Sequence, residues 1–429
     1  MVKYAVIKSL ASLQAQQRVW LQQSPKPSAQ ESTPSVVDSV QIEPARKHRS
    51  PKAALSFMED FDEQLGISKA MQKEKRELMA ESSHKFFRAT PALFFHDLKT
   101  TYQKASHLLP NPAPTVSILG DAHALNAGTF RGPDGRAVWG LNDFDQADFG
   151  SPEWDLERLG VSLYVAARSD GQSAEESMKL VEKMGRSYLG GLEETGPSYL
   201  TEAETDGQIS ELIKRSESKS QSKFLDKWTS DGGHKLKRDD SLEDPDTKRG
   251  QQIEKKLEET FPDYKLLDLA AKPHSGGSTR GLERYYGLVT SPDRAEPWIL
   301  EVKTVLPSPV QIPDGDLSRG DGAEVIESWQ KMGGHVDGRH RSFKIGTTAF
   351  FTREREPEKG SLSDKSKDLD ASAVNIGRVL ARAHSKSGAD IKGWVGSQED
   401  TFLKKLVQFS RTYSRQVESD FREWEKQYG

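Results

Sequence analysis

Apolar residues recur along this chain with two periods. The run SPEWDLERLGVSLYVAAR places Leu156, Leu159 and Leu163 at helical spacing behind a Ser-Pro start signal, which predicts a helix over 153–168. Further helices are expected over 173–192, within 53–108, near 371–386 and near 399–427. The stretch KFFRATPALFFHDL forms an apolar, aromatic knot inside the first of these regions. Short apolar runs predict strands at 115–119, 137–141, 264–270, 284–289, 298–305 and 343–351, with a helix over 324–332 between the last two. The expected class is α+β, with a mostly helical lobe and a small antiparallel sheet lobe.

Three stretches lack this patterning. Residues 24–52 hold Pro25, Pro27, Pro34, Pro44 and Pro51 among serines, glutamines and basic residues, as a linker or disordered arm does. Residues 202–259 are dense in Lys, Glu, Asp and Ser and predict exposed helices joined by a flexible loop, with 231–250 the least ordered. Residues 353–367 read as a charged loop. The chain therefore divides into an arm (1–52), a helical lobe (53–200), a charged insertion (201–260), a sheet lobe (261–360) and C-terminal helices (361–429). No internal repeat is visible.

Composition narrows the chemistry. Of 429 residues, 34% are hydrophobic and 29% charged, so part of the chain is solvated while enough remains for a sizeable core. The 61 basic and 65 acidic residues leave a net charge of −4, with no general drive toward nucleic acid or anionic membranes. The absence of cysteine excludes disulfides, thiolate metal sites, iron–sulfur clusters and cysteine nucleophiles. No apolar run approaches the roughly 20 residues of a membrane helix. As a signal peptide the N-terminus is poor, because Lys8, Ser9 and Ser12 interrupt its apolar stretch. A cytoplasmic chain is expected, with secretion the alternative that this weakly signal-like segment leaves open.

Two motifs stand directly after strands. Gly120-Asp121-Ala122-His123-Ala124-Leu125-Asn126 follows the first, and Asn142-Asp143-Phe144-Asp145 the second. Carboxylates at two strand ends converge, and oxygen ligands of this kind suit Mg²⁺ or Mn²⁺. Phosphoryl transfer needs such a metal and a carboxylate to take the proton of the attacking hydroxyl. Asp121 followed five residues later by Asn126 has the spacing of a kinase catalytic loop, in which Asp is the base and Asn a metal ligand. The plain alternative is two strand-end turns.

The second half adds a Gly-rich loop, Ser275 to Gly281, in which Gly276, Gly277, Ser278 and Gly281 suit close approach of backbone N–H groups to phosphates. Lys303 then interrupts the apolar strand WILEVKTV, as a phosphate-pairing lysine does, with Glu327 in the next helix as its expected ion-pair partner and Glu324 one turn earlier. Ordinary readings stand beside these: a Gly-rich hairpin, an edge-strand lysine facing water and a solvated helix glutamate. His123 orients the loop or ligates a metal. His384 reads as a helix-end packing residue. Arg88, among aromatics, is either a structural partner of the catalytic loop or a phosphate contact.

The segment LNDFDQADFGSPEWDLERLG resembles the metal-binding segment of aminoglycoside phosphotransferases and related small-molecule kinases, and GDAHALN is similar to their Gly-Asp-x-His-x-x-Asn loop. The resemblance implies Asp143 as the metal-binding Asp, Asn126 as a second ligand, Asp121 as the base, Asp145 as an assistant to the metal and Asp155 as an anchor of the catalytic loop. The whole pattern resembles more closely the bacterial family called domain of unknown function 2252. The matching pieces are KFFRATPALFFHDL, GDAHALNAGTF, LNDFDQADFGSPEWDLERLG, SGGSTRGLERYYGLV, ILEVKTV and ARAHSKSG, spread over most of residues 80–396. That family brings no settled reaction with it.

In an ordinary kinase the Gly-rich loop and lysine precede the catalytic loop, and here they follow it, so a two-lobed kinase-like architecture in circularly permuted order is implied. The expected activity is a kinase-like phosphotransferase that moves phosphate from ATP, with Mg²⁺ or Mn²⁺, to a small-molecule or protein acceptor. The alternatives are a metal-dependent phosphoesterase and a non-catalytic, nucleotide-binding scaffold. No nucleic-acid or membrane partner is expected.

Overall fold

The computed structural model describes residues 35–39, 49–273, 279–294, 296–312 and 320–429. Several of its helices begin where a small polar residue caps them. Ser50 Oγ accepts from the Ala53 N–H with Pro51 at the first helical position of Pro51–Gln64, and Ser151 does the same for Glu153 ahead of Pro152–Ser169. Ser173 and Glu176 cap each other's backbone at the start of Ala174–Gly191. The expected arm falls largely outside the described residues. Within it, Val36 and Val37 are buried, and the Val36 N–H donates to Glu182 Oε1 at 3.1 Å.

The largest core is helical. Pro91–Lys99, Pro152–Ser169, Ala174–Gly191, Ser366–Ser385 and Glu399–Tyr428 bury their apolar faces together, with Phe86, Phe87, Phe94 and Phe95 from the aromatic knot at its centre. Val36–Gly429 forms one compact unit. Among the described residues, no helix is long and apolar enough to cross a membrane.

Strand pairing departs from the sequence reading near the first motifs. Val116–Ile118 pairs antiparallel with Asp148–Gly150, while Ala137–Leu141 pairs with Ala127–Arg131 and Tyr199–Leu200. The segment between the strands expected at 115–119 and 137–141 contains a further strand, Ala127–Arg131, which forms a hairpin with Ala137–Leu141 around Gly135. These short, separate sheets bring both motif loops to one side of the helix Pro152–Ser169.

A five-stranded antiparallel sheet runs in the order Arg341–Ile345, Thr348–Glu354, Trp298–Thr304, Arg284–Thr290, Lys265–Ala271. The strand expected at 343–351 is in fact a hairpin turning at Gly346, whose φ of +61° suits glycine. Alternation along Trp298–Thr304 sends Trp298, Leu300 and Val302 into an apolar core with Ile253 and Leu257 of the helix Thr247–Thr260. Glu301 and Lys303 face the other way. Glu301 stands opposite Arg353 and Lys303 opposite Arg284. Arg353, read as part of a loop, is thus a strand residue and 8% exposed.

The charged insertion also differs from expectation. Residues 231–250 are not a free loop: Leu236 and Leu242, with Leu225, pack on Ala270, Tyr286, Leu288 and Ile299 of the sheet. Arg238 donates to both carboxylate oxygens of Asp268 at 3.0 Å. A few isolated leucines in a polar sequence suffice to dock it, and they carry no periodicity to announce it. The chain is a mixed α+β fold with several small antiparallel sheets.

Candidate active site

The turn after Val116–Ile118 begins at Gly120. Its φ is +72°, and a Cβ there would stand 2.1 Å from the Gln146 carbonyl oxygen, so only glycine allows the two motif loops to close on each other. Asp155, in the first turn of Pro152–Ser169, holds this turn from behind. Its Oδ2 accepts from the Leu119 N–H (2.6 Å) and its Oδ1 from the Gly120 N–H (3.1 Å). His384 lies fully buried between Asp155 Oδ2 (3.1 Å) and the Tyr188 hydroxyl (3.0 Å). It therefore ties the closing helix to the motif loop, a role beyond simple helix-end packing.

Asp121 is 9% exposed. Arg158 donates to its Oδ1 from Nε (2.8 Å) and Nη2 (2.5 Å), which leaves Oδ2 facing the cavity. Burial raises the Asp121 carboxyl, and the Arg158 cation opposes that rise. The Arg158 guanidinium itself lies 4.6 Å from the centre of the Phe87 ring and 5.3 Å from that of Phe94. Asn126 donates Nδ2 to the Asp121 carbonyl at 2.6 Å, leaving Oδ1 as its acceptor end. His123 Nδ1 accepts from the Leu125 N–H (3.2 Å), and Nε2 lies 3.9 Å from Asp121 Oδ2. Burial, with Arg88 and Arg158 nearby, keeps that imidazole well below its ordinary pKa and neutral.

Asp143 and Asp145 face the sheet. Lys303, 4% exposed, forms its ion pair with Asp145 Oδ2, and Asp143 Oδ1 is 3.9 Å from the same ammonium. Burial alone would raise the Asp143 carboxyl; Lys303, Arg353, Lys359 and Arg284 outweigh it and hold the group below the usual carboxylate range. Burial also draws the Lys303 ammonium down from the ordinary lysine range. Glu301 supports this wall by accepting from Arg353 Nε at 2.7 Å, with Arg284 at 3.5 Å.

A cavity of about 350 Å³ joins these groups. Asp121, His123, Asn126, Asp143 and Asp145 line one side, and Arg284, Lys303, Arg353 and Lys359 the other. The structure thus brings Asp121, Asn126, Asp143, Asp145 and Lys303 together. Glu327 is elsewhere: it is exposed and pairs with Lys331 at 2.6 Å, one turn along its own helix, while Lys303 takes its carboxylates from the Asp143–Asp145 segment. Gly276, Gly277 and Ser278 lie outside the described residues. Gly281, at φ +88°, stands against Ile67 and Met71, and Thr279 lines the cavity.

Arg158, Arg284 and Arg353 were not singled out from sequence. Arg158 had a weak signal, since it stands three residues after Asp155 on the same helix face. Arg353 and Arg284 had none until strand register set them opposite Glu301 and Lys303.

No curated protein and no solved structure matches the chain. Residues 69–427, which include both motif loops, Lys303 and the closing helices, match the family described as "Uncharacterized protein conserved in bacteria (DUF2252)", and the chain belongs to that family.

Proposed function

We propose that this chain is a phosphotransferase of kinase-like build, which moves the terminal phosphoryl group of ATP to a hydroxyl-bearing acceptor with Mg²⁺ or Mn²⁺. The observation that carries the reading is the single cavity in which Asp121, Asn126, Asp143 and Asp145 face Lys303, Arg284 and Arg353. Phosphoryl transfer needs a base, metal ligands and phosphate-binding cations within reach of one another.

The residues fit a divalent cation. Asp143 Oδ1 and Asp145 Oδ1 are buried without a hydrogen-bond partner, and buried carboxylate oxygens rarely stay so without a ligand. Asp143, Asp145 and the Asn126 amide oxygen would hold the ion. Among the described residues no group of three or more His, Asp or Glu side chains forms a metal cage of its own. That is in keeping with Mg²⁺, which uses few protein ligands and completes its shell with phosphate oxygens and water. The bound ion would neutralise charge developing between the phosphates.

The chain's own groups have separate tasks. Asp121 Oδ2, left free by Arg158, accepts the proton of the acceptor hydroxyl as its oxygen bonds to the terminal phosphorus and the bond to the donor's bridging oxygen breaks. Lys303, Arg284 and Arg353 bind donor phosphates, and a buried site strengthens each contact. The helical core and the five-stranded sheet serve as two lobes, in an order circularly permuted from that of ordinary kinases.

Calorimetric titration with the non-hydrolysable analogue AMP-PNP tests the reading. Binding that requires Mg²⁺ or Mn²⁺ and is lost in EDTA is expected, together with release of labelled phosphate from ATP to an acceptor. Failure to bind the analogue in either metal would overturn it. Hydrolysis of a phosphomonoester without nucleotide would favour a phosphoesterase instead.

A further inference from the structure

Most cations on the cavity wall are already engaged. Lys303 meets Asp145, Arg353 and Arg284 share Glu301, and Lys85 pairs with Glu81, while Lys359, beyond the end of the sheet, is exposed to solvent. Arg88 differs. It ends the short helix Ser83–Arg88 and lines the cavity, yet among the described residues its side chain has no hydrogen bond and no ion pair. Its Nε is buried without an acceptor. Asp121, Asp364 and Asp143 act on it only through space, and burial lowers its pKa. A largely desolvated guanidinium without an acceptor is costly, and a structural arginine ordinarily finds a carboxylate. The catalytic-loop carboxylate nearest in role, Asp121, is taken by Arg158, so Arg88 is not needed to hold it.

The location of Arg88 indicates which ligand it serves. The donor's phosphates have Lys303, Arg284, Arg353 and Lys359 on the sheet side of the cavity. Arg88 is on the helical side, with Asp121, where the acceptor's hydroxyl must lie. We infer that Arg88 binds an anionic group of the acceptor, and that the substrate class is a small hydroxy compound carrying a carboxylate or a phosphate near the reacting hydroxyl. The planar fork of an arginine suits either anion through paired N–H donors. This inference rests on the phosphotransferase reading and names the acceptor's chemistry within the same site.

Three probes of similar size test it on the full chain loaded with AMP-PNP and Mg²⁺: glycerol 3-phosphate, glycerate and glycerol. Calorimetry should show binding of at least one of the two anionic probes and at least tenfold weaker binding of glycerol, with the tighter of the two identifying phosphate or carboxylate as the natural anion. In R88Q the anionic probes should lose at least tenfold in affinity, while the AMP-PNP dissociation constant stays within about twofold of the wild type. R88K, which keeps a point charge without the fork, should fall between them. Because Arg88 makes no hydrogen bond, R88Q should melt near the wild-type temperature; if it does not fold, R88K supplies the comparison.

Glycerol binding as well as the anions, absence of anion binding to the wild type, or an R88Q loss shared equally by AMP-PNP would each overturn the inference. Failure of AMP-PNP to bind the wild-type protein would instead overturn the parent reading, so the two failures are distinguishable.

Discussion

Asp121 and Asp143 are both cavity carboxylates, yet their surroundings push them apart. Burial raises Asp121, while four cations hold Asp143 down. Asp121→Asn should therefore abolish phosphoryl transfer by roughly 10²-fold or more, as loss of a general base does, and leave AMP-PNP affinity nearly intact. Asp143→Asn should instead weaken metal-dependent AMP-PNP binding by tenfold or more. Calorimetry beside a transfer assay separates the two, and equal loss of binding in both variants would refute the assigned roles. A second residue-scale effect is a pH dependence. Burial, with Glu354 and Glu358 beside it, raises the Glu356 carboxyl to about 7 from an ordinary 4.5. Between those values the folded protein binds more protons than the unfolded chain, so this group makes stability fall as pH rises. Glu356→Gln should remove that slope and gain on the order of 3 kcal/mol above pH 7, read as urea-unfolding free energy against pH.

Elements here are joined by buried polar pairs as much as by apolar faces. Lys75 and Asp62, each 1% exposed, meet at 2.6 Å between the helices Lys69–Ala80 and Pro51–Gln64. Removing one partner strands a buried charge. Lys75→Met should cost about 3–5 kcal/mol in chemical unfolding, and the double variant Lys75→Met, Asp62→Leu should recover most of that loss. No recovery would mean that the pair's packing, and not its charge, matters. At the motif loop, Asp155 links a helix start to a strand end and His384 adds the closing helix. The loop that carries Asp121 thus rests on segments far apart in the sequence.

At the scale of the molecule, the helical core is shared between residues near the start of the described chain and the C-terminal helices. Glu399–Tyr428 buries Phe402, Leu403, Leu406, Val407, Phe409, Tyr413, Val417 and Trp424, though it supplies no cavity residue. Burial of each such side chain contributes about 1.5–3 kcal/mol, and their sum matches or exceeds the roughly 5–15 kcal/mol net stability of a typical domain. A chain ending at Gly396 should therefore lose cooperative thermal unfolding by calorimetry and AMP-PNP binding with it. A truncated chain that still melts cooperatively would contradict this account.

The long helices were legible because their 3.6-residue periodicity is local, as is the Ser151 cap, and the predicted span 153–168 became Pro152–Ser169. The strand Ala137–Leu141 was legible as a short apolar run, and it is buried throughout. Asp121, Asn126, Asp143 and Lys303 stood out as polar residues at strand ends or inside an apolar strand, and the structure gathers them on one cavity. The hairpin at Gly346, the strand Ala127–Arg131 and the docking of 231–250 were not legible, because pairing partners and lone leucines leave no period in the sequence. Sequence alone thus determined which residues carry charge at element ends. Only the tertiary structure decided how those charges pair: register set Arg353 against Glu301, the loop crossing set Lys303 against Asp145 in place of Glu327, and Arg158 took Asp121 and left Arg88 without a partner among the described residues. Such choices belong to distances between segments far apart in the chain, and Coulomb energy depends on those distances and on burial, neither of which is written locally.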